Sequence, residues 1–238
     1  MRKIMQLNVN DVTPSVEEVM ENQGMAGRKN LPERIRTLMD SARELFRELA
    51  APAGMFEDIP LSDFWEIYEG NGMNSAESPV PGIVTRADAL ALFAATMGKI
   101  LAVKSSELFK EGKAPLGYML DAVNTCGAER LGMLMGLRFM EYLPEELRRS
   151  KKLKVQYYCP GHCGWHISGQ TRLFQALHPE EIGITVNESW AMNPLKSISG
   201  ILAVGEIEIH RFKPDFSFCK QCKEKKCVQR LKILEQDS

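Results

Sequence analysis

No stretch of the 238-residue chain approaches the ~20 consecutive apolar residues that a membrane-spanning helix needs. The first ten residues are polar and lack the apolar centre of a secretory signal. Both absences lead to the expectation of a cytoplasmic protein. Neither sign of charge dominates, since 30 Lys and Arg face 31 Asp and Glu, a formal net charge of -1. That balance leaves no general field to gather nucleic acid or an anionic membrane, and neither is expected as a partner. The chain also lacks a Ser-His-Asp or paired-carboxylate constellation. Cysteines number only six, and in a reducing compartment they point to thiolate chemistry or metal binding before disulfides.

What is present suffices for a packed interior: 44% of the residues are hydrophobic and 26% charged, which excludes disordered and fibrous classes. Residues 1–30 read as a loosely structured lead-in. Asn30 with Glu33 three positions on, and Pro32 between them, predict a helix start, followed by an apolar stripe through Leu31, Ile35, Leu38, Met39, Ala42, Leu45, Phe46 and Leu49. From 55 to 83 the prolines and glycines predict a long connection with one short helix. Thr85 with Asp88 resembles a second capping box, opening a helix through Ala89, Leu92, Phe93, Met97, Ile100, Leu101 and Val103. A third helix is predicted over 115–142; its Asp121 and Glu129 either face a polar site or pair with Arg130 or Arg138.

Beyond residue 152 the texture becomes β-branched and alternating. Strands are predicted at 153–159, 184–187, 198–204 and 207–212, the last two joined through Gly205 and Glu206, with a short helix over 168–177. The expected fold class is α+β, with N-terminal helices packed on a twisted, mostly antiparallel sheet. Four regions follow: the lead-in 1–30, a helical part 31–150, a sheet part with a ligand turn 151–212, and a cysteine-rich tail 213–238.

The densest chemistry lies at Tyr157-Tyr158-Cys159-Pro160-Gly161-His162-Cys163-Gly164-Trp165-His166, between a predicted strand and helix. Pro and Gly there force a tight turn that exposes backbone groups, next to a helix start that favours anionic or polar ligands. A CxxxCxxC iron-sulfur motif is not met, because His166 occupies the third cysteine position. A second group, Cys219, Cys222 and Cys227, contains a CxxC pair able to hold zinc or an iron-sulfur cluster, with Cys159, Cys163 or a histidine as the fourth ligand. The neighbouring lysines do not make a nucleic-acid zinc finger, since no second CxxC or His pair completes one.

Together with the Pro160-Gly161 turn, the runs Gly183-Ile184-Thr185, Glu188-Ser189-x-Ala191-Met192-x-Pro194 and Ser197-x-Ser199-Gly200 resemble the activation (reactivation) domain of cobalamin-dependent methionine synthase. In particular the chain resembles the short free-standing forms of anaerobic bacteria. The resemblance is strong over about 153–204, weaker through the helices and absent from the cysteine tail. It implies a twisted antiparallel sheet flanked by helices, S-adenosylmethionine along the Pro-Gly turn, and cobalamin from a partner's cobalamin-binding module against Ala191, Met192, Pro194, Ser197, Ser199 and Gly200. The implied event is reductive methylation: an electron donor returns an inactive cob(II) corrinoid to cob(I), which takes the methyl group of the sulfonium. Such chemistry asks the protein for placement and electrostatics, with no general acid or base.

Departures from the family pattern fall on ligand contacts. Where the family has an arginine three positions before the turn proline this chain has Tyr157, and where it has a tyrosine after the glycine this chain has His162. The family's helical acid aligns with Met133, leaving Glu129, one turn earlier, as its substitute. Two alternatives stay open, the first of them on the cysteines, which are foreign to that family as a set. One is an iron-sulfur or zinc-binding accessory protein that passes electrons to a corrinoid protein without binding S-adenosylmethionine. The other is a non-catalytic subunit that completes a split methionine synthase.

Overall fold

The run Ala89–Thr96 is apolar at nearly every position because it has no solvent face. In the computed structural model, which describes residues 1–27, 31–69, 71–212 and 216–217, this run is the central strand of a five-stranded antiparallel sheet. The strands are β1 (Arg2–Gln6), β2 (Ala53–Asp58), β3 (Ala89–Thr96), β4 (Leu153–Tyr158) and β7 (Ile198–Glu206), in the order β1-β2-β3-β7-β4. Two short strands, β5 (Thr185–Val186) and β6 (Met192–Asn193), pair apart from it.

Alternate residues of the central strands enter separate cores, as the pleat requires. Phe56, Ala91, Phe93, Ala95, Leu202 and Val204 pack on one face, and Met55, Leu90, Leu92, Ala94, Ile201 and Ala203 on the other. The first face is covered by α1 (Val9–Val12), α2 (Val16–Asn22), α3 (Glu33–Leu49), α6 (Ile100–Lys110) and α7 (Ala114–Glu141). The second carries α4 (Leu61–Glu69), α5 (Val80–Val84), α9 (Gly169–Leu177) and α10 (Ile207–His210), while the small helix α8 (Glu145–Ser150) leads into β4. A layer of helices on each side is what a sheet buried on both faces needs.

α7 spans 28 residues and, at 1.5 Å per residue, about 42 Å. It buries apolar side chains on most sides and crosses the sheet close to β4 and β7. Close approach explains its glycines. A Cβ on Gly132 would stand 2.8 Å from Ile198 Cδ1 and 3.0 Å from the Tyr157 ring, and one on Gly127 would meet the Phe46 ring at 2.6 Å.

Several expectations are corrected. The supposed lead-in contains an edge strand and two helices, and Val12 and Val19 are fully buried. Its local signal is a capping box at 15–18, where the Ser15 hydroxyl accepts from Glu18 N–H (3.2 Å) and Glu18 Oε2 accepts from Ser15 N–H (2.6 Å). The same Glu18 carboxylate pairs with Arg130 of α7 at 2.9 Å, which ties the N-terminal residues to the core. α3 starts after Pro32 with no side-chain cap, and Asn30 lies outside the described residues. The part expected to be helical includes β2 and β3, and the helix expected from Ala89 begins only at Ile100. Ile207–His210 forms a helical turn in place of the expected final strand. The elements of helix and strand therefore alternate along the chain instead of following in two blocks.

Candidate functional site

Tyr158 ends β4, and the chain then turns back on itself. Gly161 N–H donates to Trp165 O (2.7 Å), His162 N–H to Cys159 O (3.1 Å) and Trp165 N–H to His162 O (2.9 Å). Such winding needs left-handed backbone at Gly161 (φ 91°), Cys163 (φ 51°) and Gly164 (φ 76°), two of them glycines, which adopt it without a Cβ clash. The segment between α4 and α5 ties the turn down. Ser75 N–H donates to Gly164 O (2.9 Å), the Ser78 hydroxyl to Cys163 O (2.7 Å), and Asn74 Oδ1 accepts from His166 N–H (2.8 Å). Trp165, fully buried, wedges against Phe64 and Tyr68 and anchors the whole loop.

Facing this turn is the ribbon that runs from β5 into β7. Asn187 shapes its tip: its side-chain oxygen accepts from Ser189 N–H (2.9 Å) and Ala191 N–H (3.0 Å). Trp190 is held there with φ 60°, a conformation uncommon for a bulky residue, and its indole meets the His166 ring edge-on at 5.6 Å. Further along, the hydroxyl of Ser197 donates to Thr96 Oγ1 (3.0 Å) and that of Ser199 to Gln170 Oε1 (2.7 Å), both buried. These two serines fasten the ribbon to β3 and α9.

Turn, ribbon and one face of α7 enclose a cavity of about 400 Å³. The turn side presents Tyr157, Tyr158, Cys159, Pro160, His162 and Cys163; the ribbon presents Trp190, Ala191, Met192, Leu195, Lys196 and 197–199. α7 supplies Thr125, Ala128 and Glu129, which lie on one helical face. Ile167 and Gln170 complete the wall. At the rim Lys196 Nζ lies 3.2 Å from Asp121 Oδ2, one turn of α7 before Thr125. Arg130 pairs with Glu18, and Arg138 with Asp11 and Glu141.

Most residues singled out in the sequence thus meet around one space, although they come from elements up to 70 positions apart. Gly161, Pro194 and Gly200 do not line it. Gly161 is exposed and Pro194 is buried. Gly200 lies where a Cβ would run into the Tyr158 carbonyl, so it lets the start of the turn pass close over β7. Cys159 and Cys163 both reach the cavity wall. Among the described residues no three His, Cys, Asp or Glu side chains gather to hold a metal, and Cys219, Cys222 and Cys227 lie outside those residues. Trp190, at a variable position of the ribbon motif, Lys196, between its two runs, and Thr125, Ala128 and Gln170 also line the cavity and carry no distinctive signal in the sequence. Periodicity shows the last three on helix faces but not what those faces meet.

Among the described residues no helix is long and apolar enough to cross a membrane. No curated protein matches the chain. Among solved structures, the crystal structure of the MetH reactivation domain bound to AdoHcy shares the fold, with a TM-score of 0.61 and 13% sequence identity over 85% of this chain and 78% of that one. The family model described as "Vitamin B12 dependent methionine synthase, activation domain" matches residues 81–213, a span that includes β3, α7, the turn and the entire ribbon. With more than half of its length covered by that match, the chain belongs to the family of activation domains of vitamin B12-dependent methionine synthase.

Proposed function

We propose that this protein reactivates a corrinoid by reductive methylation. It would hold S-adenosylmethionine in the cavity and present it to the cobalamin-binding module of a methionine synthase or a related corrinoid methyltransferase. One observation carries the reading: the Pro160 turn and the 190–199 ribbon face each other across a single cavity roofed by α7. Its volume falls in the range of small-molecule sites, roughly 300–1,000 Å³. The related reactivation domain was crystallised with AdoHcy, the product that S-adenosylmethionine leaves on giving up its methyl group.

The donor set fits such a ligand. Indole and phenol rings of Trp190 and Tyr157 offer apolar faces for a nucleoside and for a sulfonium cation. Glu129 adds a carboxylate, and Lys196 an ammonium group, for the charges of an amino-acid tail. In the full reaction a one-electron donor reduces the corrinoid, the methyl carbon bonds to cobalt, and the carbon-sulfur bond breaks with its electron pair left on sulfur. Every task left to this chain is positional. Ser197 and Ser199 keep the ribbon rigid through Thr96 and Gln170, and the tied-down turn keeps the opposite wall at a fixed distance. A wall that does not move is what aligns a methyl donor with a bulky acceptor.

Titration calorimetry of the full chain with S-adenosylmethionine tests this reading. Saturable binding at one site per chain is expected. Gly161→Val, which forces a branched side chain onto a backbone at φ 91°, should weaken it by about tenfold or more while circular dichroism still reports a folded protein. A chain that gives no heat with S-adenosylmethionine contradicts the proposal.

A further inference from the structure

The cavity holds one lysine or arginine among its described lining residues, Lys196. We propose that Lys196 is the receptor for the carboxylate of the ligand's amino-acid tail, and so the residue that selects S-adenosylmethionine over methyl donors or nucleosides lacking that carboxylate. The inference rests on the reading of the cavity as a site for S-adenosylmethionine and assigns the end of the site at which the amino acid sits.

Three observations support it. The turn side of the cavity, formed by Tyr157, Tyr158, Cys159, Pro160, His162 and Cys163, offers no lysine or arginine. Lys196 sits on the opposite wall, at the end of the cavity marked by Asp121. Its ammonium is held 3.2 Å from Asp121 Oδ2, with side-chain exposures of 27% and 49%. A pair so open to solvent contributes little by itself, and exchanging one of its members for a ligand group costs little. Electrostatics agree as well. S-adenosylmethionine carries a carboxylate, an ammonium and a sulfonium, one net positive charge. Around Lys196 the cavity and its rim present the carboxyl groups of Glu129 and Asp121, so groups of both signs are available to such a ligand. On binding, the carboxylate takes the place of Asp121 at Lys196, and Asp121 is left beside the incoming ammonium group. The Lys196–Asp121 contact then serves as a placeholder that keeps the lysine extended across the rim when no ligand is bound.

The test compares S-adenosylmethionine with its decarboxylated analogue by calorimetry on the full chain. The wild-type protein should prefer the carboxylated ligand by about tenfold or more, the size expected of one charge-assisted contact. In Lys196→Met that preference should vanish through loss of affinity for S-adenosylmethionine alone, with the analogue bound as tightly as before. Lys196→Arg should keep the preference. Asp121→Asn breaks the ion pair but leaves the cation, and it should keep the preference too. An unchanged preference in Lys196→Met overturns the proposal, as does an equal loss for both ligands, or an Asp121→Asn variant that behaves like Lys196→Met. Failure of the wild-type chain to bind either ligand removes the underlying site assignment and this inference with it.

Discussion

His210 shows how a single side chain links the sheet to solution conditions. Its ring is fully buried under β7, and its Nδ1 lies 2.9 Å from the Tyr158 hydroxyl at the end of β4. Burial lowers its pKa from 6.5 to about 4; the Lys154 backbone opposes the shift and the charge of Arg86 adds to it. In the unfolded chain the imidazole protonates near its ordinary value, so between pH 6.5 and 4 the unfolded state binds more protons than the folded one. This contribution to stability is complete above pH 6.5 and is lost progressively as the pH falls toward 4. It amounts to about 3 kcal/mol at most. Urea unfolding of wild type and His210→Phe at pH 7.5 and pH 5 checks it, and the variant should lose less stability on acidification. An equal loss in both would show that the buried ring does not titrate as described.

At the scale of elements, α2 carries more than its seven residues suggest. Ser15→Ala removes one half of the capping box and should cost about 1 kcal/mol. For a chain of this length that lowers the melting temperature by roughly 2–4 °C. Glu18→Ala removes the other half and also the partner of Arg130, so its melting temperature should fall further. Equal melting temperatures for the two variants would mean that the Arg130 contact contributes nothing.

Several elements that keep a partly exposed side were legible in the sequence. The expectation of a helix over 115–142 compares with Ala114–Glu141, and that over 168–177 with Gly169–Leu177. β4 ends one residue earlier than expected. What could not be read is the element with no exposed side. β3 is apolar throughout because both of its faces are covered, so the period of two that marks a strand is absent, and its alanines suit a helix equally well. The final strand failed for another reason. Ile207 and Ile209 alternate like strand residues, but a Cβ on Gly205 would strike Ile209, showing how tightly the chain folds back there into α10.

Viewed as a whole molecule, the sheet brings together what the chain keeps apart. β4 delivers the turn and β7 receives the ribbon; the two strands pair from Leu153↔Glu206 to Tyr158↔Ile201, so the turn and the ribbon necessarily emerge at the same end. The turn was visible in the sequence because proline and glycine mark unusual backbone, and the ribbon stood out only through its resemblance to the family's motifs. The third wall was not visible, since Thr125, Ala128 and Glu129 look like ordinary positions on a long helix until its crossing over the sheet is known. The contact of Lys196 with Asp121 was equally invisible, because the two stand 75 positions apart.

The central claim is that this cavity delivers a methyl group to a corrinoid held by another protein module. The most direct measurement mixes the full chain with a cobalamin-loaded methionine synthase module, a one-electron reductant and S-adenosylmethionine carrying a labelled methyl group, and follows the label. The account predicts label on the corrinoid and S-adenosylhomocysteine in equal amount, both depending on this chain and both sharply reduced by Gly161→Val. A corrinoid that stays unlabelled although the chain binds S-adenosylmethionine, or one that is labelled equally well without the chain, would contradict it.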